Sequence, residues 1–189
     1  MAQKPVQPRA VATYHRLLDA AGELLRDPGV ERISTNLVAA RAGVSPPTLY
    51  HYFADKYALL AALGERLMQA QNALVGPDLQ LDEAAIAGIL LDHVVLTRAS
   101  PGGPWVMRML RAVPQLGYVR LASHRALSMA LAAGMSKADP SRDRAGLEHR
   151  ARLAVDIGYA AIELVFDEPE LDENVLMADA AKAIWALLR

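Results

Sequence analysis

The sequence contains no cysteine, and this absence removes several kinds of chemistry at once. Disulfide bonds, thiolate metal ligands and cysteine nucleophiles are all excluded. Long apolar runs are also missing, because stretches such as residues 84–91 are too short to cross a bilayer. The first nine residues lack the apolar core of a signal peptide. We therefore expect a cytoplasmic protein that has no membrane partner.

The chain has almost no excess of charge of either sign. It carries 20 Lys and Arg against 21 Asp and Glu, which gives a net charge of -1 at pH 7. DNA-binding domains are commonly basic, so the balance argues mildly against a nucleic-acid partner. Residues 1–60, however, carry seven basic and five acidic side chains, against thirteen and sixteen in residues 61–189. The slight excess of basic side chains in residues 1–60 permits DNA binding without demonstrating it.

Apolar residues recur at helical spacing along nearly the whole chain, and no stretch alternates with a period of two. Ser34, Ser45 and Asp55 are suited to the N-caps of successive helices. We predict an all-α fold with a three-helix head, a linking helix at about residues 55–75 and a larger helical body. The helices of the body are predicted at about residues 82–98, 104–113, 115–135, 141–166 and 173–188.

The most informative segment is the short turn Ala42-Gly43-Val44-Ser45. A turn of three to four residues that contains glycine, between two short helices, is typical of a helix-turn-helix. In the following helix Leu49 and Phe53 lie four residues apart on one face, which predicts that both are buried. Hydroxyls and aromatic rings elsewhere on that helix would suit contacts with phosphates and base edges in a major groove.

This segment resembles the TetR family of bacterial regulators, from about Thr13 to Leu63. The Gly-Val-Ser turn, the Thr-Leu-Tyr-x-Tyr-Phe stretch and the lysine that follows at position 56 carry the resemblance. It implies an effector-controlled, dimeric DNA-binding protein. The DNA contacts that it implies are Thr35, Asn36, Ser45, Pro47, Thr48, Tyr50, His51, Tyr52 and Lys56. The alternatives are an ordinary surface histidine at position 51 and a Tyr52 that is half buried against the first helix. Pro46 departs from the commoner family pattern, so fewer side chains are available for base readout.

Two helices near the C-terminus have apolar residues on more than one face. Small residues recur at steps of three and four in the helix at about 141–166, and Leu153, Ile157, Ala160 and Leu164 form a second stripe beside them. Such a helix must be covered on both faces, which predicts a two-fold homodimer with a four-helix bundle. The residues predicted for that interface are Leu147, Ala151, Ala154, Gly158, Ala161, Val165, Ala180, Ile184 and Leu187. A monomer that buries both helices internally is the alternative.

Methionines and aromatic residues with a few polar groups collect in the middle helices, as in an apolar ligand pocket or a loosely packed core. The effector-binding residues predicted from this pattern are Met68, His93, Trp105, Arg108, Met109, Tyr118, His124 and Tyr159. The Pro101-Gly102-Gly103-Pro104 loop before Trp105 suggests a flexible mouth. The five histidines lack metal-ligand spacing, so we expect neither a metal nor a cofactor.

Together these features predict a DNA-binding domain in residues 1–56 and an effector-binding and dimerisation domain in residues 57–189. The predicted function is a repressor that binds a palindromic operator as a dimer and is released by a small molecule. A constitutive or protein-controlled DNA-binding regulator is the alternative. An all-helical enzyme is a weaker one, because the sequence lacks a nucleophile elbow and a glycine-rich phosphate loop.

Overall fold

The structure is a computed structural model that describes residues 5–27, 29–76 and 81–189. These residues form helices and connecting turns with no β-strand among them, so the all-α prediction is confirmed. None of the described helices is both long and apolar enough to span a membrane. A 3-10 turn is formed by Pro114–Leu116. The helices are α1 (Pro8–Arg26), α2 (Thr35–Arg41), α3 (Pro46–Tyr52), α4 (Lys56–Asn72), α5 (Glu83–Ala99), α6 (Gly103–Ala112), α7 (Gly117–Ala138), α8 (Arg144–Asp167) and α9 (Glu173–Leu188).

Helices α2, α3 and α4 begin where side-chain caps were predicted. Ser34, Ser45 and Asp55 each accept a hydrogen bond from the backbone N–H three residues further on, at 3.3, 3.4 and 2.8 Å. Each cap satisfies one of the backbone donors that a helix leaves without a partner in its first turn. The starts of α2, α3 and α4 are therefore encoded locally.

The described residues divide into two compact units. Unit 1 comprises residues 5–27, 29–68 and 98–120, and unit 2 comprises residues 69–76, 81–97 and 121–189. The limits of the units fall within α4, α5 and α7. They differ from the predicted division between residues 56 and 57, because residues 57–68 and 98–120 are grouped with the N-terminal helices. As a division of functions, the predicted boundary stays a prediction.

The core of unit 1 is built on one face of α1. Its apolar stripe is buried throughout. The Tyr14 ring packs against Phe53 with the ring centroids 5.1 Å apart. On a more solvent-exposed side of α1, Asp19 forms an ion pair with Arg66 of α4 at 2.7 Å. The residues of the stripe are Tyr14, Leu17, Leu18, Ala21, Leu24 and Leu25.

Gly22 allows the backbone before α6 to approach α1 very closely. A Cβ placed at Gly22 would lie 2.2 Å from the carbonyl oxygen of Pro101, which is far inside van der Waals contact. Gly102 has φ = +66°, and a Cβ there would lie 2.0 Å from the Gly22 oxygen. The Pro-Gly-Gly-Pro loop, which we expected to be a flexible mouth, is thus a tight backbone contact inside unit 1.

In unit 2, α8 and α9 pack together, and the face predicted for the dimer interface lies inside a single chain. Most of the residues named for that interface are buried without a partner chain, so this part of the prediction needs correction. Two of them, Ala180 and Leu187, are half-buried. The buried ones are Leu147, Ala151, Ala154, Gly158, Ala161, Val165 and Ile184.

The second apolar stripe of α8 is the one that faces outward. Leu153 is 52% exposed and Ala160 is exposed, while Ile157 and Leu164 are half-buried. On α9, Val175 is 57% exposed. Both faces of α8 are apolar, and it is the face with small residues that packs inside unit 2.

Candidate nucleic-acid interface and apolar cavity

The turn between α2 and α3 is closed by two backbone hydrogen bonds. The N–H of Gly43 donates to the carbonyl of Ala40 at 3.1 Å, and that of Val44 to the carbonyl of Ala39 at 3.0 Å. This pair of bonds is the Schellman motif, which ends a helix with a residue in the left-handed conformation. Gly43 adopts it with φ = +65°. The predicted helix-turn-helix is therefore present, and its turn is rigidly hydrogen-bonded.

The start of α3 is fixed immediately after this turn. Pro46 and Pro47 occupy its first turn, where a missing N–H costs no helical hydrogen bond. The Ser45 hydroxyl accepts from the Thr48 N–H and also lies 2.9 Å from the Thr48 hydroxyl. Ser45 and Thr48, both predicted to contact DNA, thus also hold the N-terminus of α3.

A hydroxyl pair joins the exposed sides of α2 and α3. The Thr35 Oγ1 and the Tyr50 hydroxyl lie 2.9 Å apart, and either of them can be the donor. Tyr50 is 51% exposed, which is unusual for a tyrosine without a partner surface. Asn36, Pro47 and His51 are exposed as well. Thr35 and Tyr50 are therefore close to each other in the structure, and Asn36, Pro47 and His51 are open to solvent.

Tyr52 is the exception among the predicted DNA contacts. Only 8% of it is exposed, and its ring packs edge to face on Tyr14 with 6.0 Å between the centroids. It lies three residues after the buried Leu49 and so shares the core-facing side of α3. The structure corrects the prediction for Tyr52, which belongs to the core of unit 1.

Lys56, the predicted phosphate ligand, lies at the N-terminus of α4. Its Nζ donates to the carbonyl of Val30 at 3.4 Å and lies 5.6 Å from the centre of the Tyr57 ring. Arg41, in the last turn of α2, pairs with Glu23 at 2.9 Å, with both side chains about half exposed. Arg41 was not among the DNA contacts predicted from the sequence, although its position directly before the Ala42-Gly43-Val44-Ser45 turn could have indicated it. It is a further exposed cation of the helix-turn-helix, paired with Glu23.

A second feature lies in unit 2, where α5, α7, α8 and α9 surround a cavity of about 80 Å³. Its walls are almost entirely aliphatic. Three residues that we had assigned to the dimer interface, Ala154, Gly158 and Ile184, line it instead. Further wall residues are Ile89, Leu90, Leu127, Leu131, Ile162 and Leu188.

His93 and Tyr159 bring polar groups to the cavity wall, and their rings meet edge to face at 6.1 Å. Nδ1 of His93 lies 2.7 Å from the Ile89 carbonyl, which can only accept, so this nitrogen carries the proton. Burial lowers the pKa of His93 and raises the pKa of Tyr159. Both side chains are therefore neutral near pH 7. The Tyr159 hydroxyl is buried and has no hydrogen-bond partner among the described residues.

His124 holds Tyr159 from the side. The two rings stack with centroids 4.0 Å apart and an interplanar angle of 17°. Nδ1 of His124 lies 2.7 Å from Oδ1 of Asp156, whose other oxygen lies 2.7 Å from Arg152. Burial alone would raise the pKa of Asp156, but Arg152 and His124 hold it below its ordinary value. Among the described residues, no cluster of three or more His, Asp or Glu could hold a metal ion.

The structure brings together three of the eight residues predicted to bind an effector, His93, His124 and Tyr159. The other five belong to unit 1. There Met68 and Met109 are buried, Tyr118 is 58% exposed, and the Arg108 guanidinium lies 4.7 Å from the centre of the Trp105 ring. The aliphatic wall residues were missed because Ile and Leu at helical spacing carry no sign of a cavity in the sequence.

Comparison with known proteins adds to this geometry. Residues 17–63 match the model of the bacterial regulatory proteins of the tetR family. The uncharacterised HTH-type transcriptional regulator YvdT of Bacillus subtilis is 31% identical over 88 residues, which are 44% of each chain. The class C tetracycline repressor of Escherichia coli is 44% identical over 52 residues, 28% of this chain and 24% of that one. The alignments thus span less than half the length of these relatives.

The fold matches over a longer range. The crystal structure of a tetR-family transcriptional regulator from Streptomyces coelicolor superimposes with a TM-score of 0.74 over 93% of this chain and 80% of that one, at 20% identity. At that identity the likeness concerns the fold alone. The family match, in contrast, includes the turn between α2 and α3 and the whole of α3. Residues 17–63 thus match the tetR family of bacterial regulatory proteins, and the chain as a whole shares the fold of a solved tetR-family regulator.

Proposed function

We propose that this protein is a dimeric transcriptional repressor that binds a roughly palindromic operator and leaves it when a small molecule binds in unit 2. The proposal depends above all on the exposed polar end of the helix-turn-helix, where Tyr50 and Thr35 are hydrogen-bonded. The name of one relative, a tetracycline repressor, supports both the repressor role and a small-molecule effector. A repressor of this kind works in the cytoplasm, where the DNA is.

In the proposed complex α3 lies in the major groove. Tyr50 and His51 reach base edges or phosphates from the exposed side of the helix, and Thr35 and Asn36 contact the backbone from the start of α2. Lys56 exchanges its single carbonyl contact with Val30 for a phosphate, which is a stronger partner for an ammonium group. The slightly basic head supplies modest affinity per chain, so two heads are needed.

The exposed stripe of α8 supports a dimer. Leu153, Ile157, Ala160 and Leu164 offer an apolar strip that unit 2 leaves partly open to water, and Val175 extends apolar exposure to α9. Pairing α8 and α9 with the same helices of a second copy would cover these residues by two-fold symmetry. Two recognition helices would then meet successive major grooves.

Selection of bound duplexes from a random-sequence DNA pool tests the proposal with the full chain. We expect enrichment of a sequence with two inverted half-sites, and Tyr50→Ala should abolish that preference. His15→Ala, which removes an exposed histidine of α1, is the control and should leave it intact. Failure of the pool to enrich any sequence at moderate salt would overturn the proposal.

A further inference from the structure

We propose that Pro46 and Pro47, the first two residues of α3, recognise the 5-methyl group of a thymine in each half-site of the operator. This contact deepens the proposed function and rests on it, because it requires α3 to lie in the major groove. It makes thymine a fixed base of the half-site at the place that the first turn of α3 meets.

In the first turn of α3, every main-chain N–H is either missing or already bonded. Pro46 and Pro47 are the first two residues of the helix and have no N–H. The Thr48 N–H donates to the carbonyl and the hydroxyl of Ser45, at 3.0 and 3.4 Å, and the Leu49 N–H donates to the same carbonyl at 3.3 Å. The backbone donors with which other helices hold a phosphate are therefore not available here.

The side chains of this turn offer carbon rather than polar atoms to a partner. The Ser45 hydroxyl is occupied as the cap of α3, because it contacts both the N–H and the hydroxyl of Thr48. Pro46 and Pro47 are both exposed, and the ring of each carries no free donor or acceptor. The surface that the two prolines present to solvent is therefore largely apolar.

This apolar surface continues towards the exposed aromatic side of α3. Residues three and four positions apart are neighbours on a helix, so Tyr50 lies beside both prolines and His51 beside Pro47. Tyr50 and His51, which we propose to reach base edges or phosphates, are both exposed. The proline pair is therefore part of the face that the proposed complex turns towards DNA.

Thymine is the base whose major-groove edge suits such a surface. A helix-turn-helix places the N-terminal residues of its second helix against base edges in the major groove. Most groups on those edges are hydrogen-bond donors or acceptors, whereas thymine also carries an apolar 5-methyl group. A polar group covered by a proline ring loses its water without gaining a hydrogen bond. The methyl group gains from the same contact, because apolar surface leaves water.

Substitution of uracil for thymine tests the inference, because uracil differs from thymine only in the missing methyl group. The full chain is titrated with the duplex selected from the random pool and with copies that carry uracil at one thymine of a half-site at a time. We expect one of these replacements to lower the affinity about fourfold, as for one buried methyl group that returns to water. Every hydrogen-bonding group of the DNA stays in place, so the loss reports the methyl contact.

Two proteins assign the methyl contact to the prolines. The double variant Pro46→Ser, Pro47→Ser should bind the thymine duplex and the sensitive uracil duplex equally well. Pro8→Ser changes an exposed proline at the first position of α1 and is the matched control, which should keep the fourfold difference. The comparison of thymine with uracil in the natural protein needs no variant, so it decides the question even if the double variant does not fold.

Three outcomes would overturn the inference and leave the proposed function intact, because each is measured on DNA that the protein has selected. They are a selected half-site without thymine, equal binding of the natural protein to every uracil duplex, and an unchanged thymine preference in the folded double variant. Failure to select any sequence from the pool instead overturns the proposed function, and the methyl contact with it.

Discussion

The hydroxyls of Thr35 and Tyr50 lie 2.9 Å apart and link the first residue of α2 to the exposed tyrosine of α3. The bond spans fifteen positions of the chain and joins the two helices of the candidate interface on their solvent side. It uses one hydrogen from the pair and leaves a second hydrogen for an outside partner. The head therefore presents two hydroxyls whose relative position is set before DNA binds.

We expect Tyr50→Phe to lower the affinity for the selected duplex about tenfold, because the ring stays and only the hydroxyl is lost. Non-specific affinity should change little, since it depends on phosphate contacts. Thr35→Val should weaken specific binding less, because it removes the partner of the tyrosine and leaves the tyrosine itself. Fluorescence anisotropy with selected and scrambled duplexes measures both. An equal loss on the two duplexes would show that the hydroxyl does not read sequence.

Lys56→Ala should weaken binding to every duplex alike and lower the slope of log K against log salt by about one per chain. The physical reason is the release of one fewer counter-ion from the DNA. Lys137→Ala, an exposed lysine at the end of α7, is the matched control and should leave the slope unchanged. Titrations at several salt concentrations measure the slopes. Equal slopes for Lys56→Ala and the natural protein would contradict a phosphate contact by Lys56.

Two glycine substitutions should have opposite effects on stability. Gly43→Ala forces an alanine into φ = +65° and should lower the free energy of unfolding by roughly 1 kcal/mol or more. Gly88→Ala lies inside α5, where a Cβ would meet nothing within 4 Å, and should raise it by about 0.5 to 1 kcal/mol. Urea unfolding measures both values. Effects of the same sign would contradict the conformational argument.

Leu153→Glu should dissociate the proposed dimer, because it places a charge in the exposed apolar stripe of α8. Met129→Glu makes the same change at a residue of α7 that is 63% exposed and serves as the control. Sedimentation velocity at micromolar concentration distinguishes one chain from two. A Leu153→Glu protein that stays dimeric while folded would place the interface elsewhere.

The buried histidine of the cavity should make the protein less stable in mild acid. Burial depresses the pKa of His93 in the folded state, so the unfolded chain binds the proton more readily. The neutral His93 ring therefore contributes its full stability only above the pKa of the unfolded chain, about 6.5. That stability is lost as the pH falls below this pKa. His93→Gln should flatten the decline in unfolding free energy between about pH 7 and 5, measured with urea. His15→Gln, at an exposed site, should not.

The head was predictable because its determinants are local. Ser34, Ser45 and Asp55 act on N–H groups three residues away, and Gly43 acts on the turn that contains it. Each of these determinants can be recognised within a few consecutive residues of the sequence. The prediction of a DNA contact for Tyr52 was wrong for the opposite reason. The burial of Tyr52 depends on Tyr14, which lies 38 positions earlier on another helix.

The interior of unit 2 was not predictable in the same way. Ala154 and Gly158 form a small-residue stripe, and Leu153 and Ile157 form a second apolar stripe on the same helix. Hydropathy alone does not say which stripe packs inward, because both satisfy the helical period. The cavity depends on four helices at once, and the space between them is set by packing that no single stretch of sequence encodes.

The hydrogen bonds of the turn also bear on how the chain folds. The bonds that Gly43 and Val44 donate, and the one that the Ser45 hydroxyl accepts from the Thr48 N–H, connect residues no more than five positions apart. Contacts of such short range close small loops, which form in well under a microsecond to a few microseconds. The geometry of the recognition helix can therefore be established early in folding, by the chain segment that contains it. The Thr35–Tyr50 bond then needs the closure of a loop of only fifteen residues.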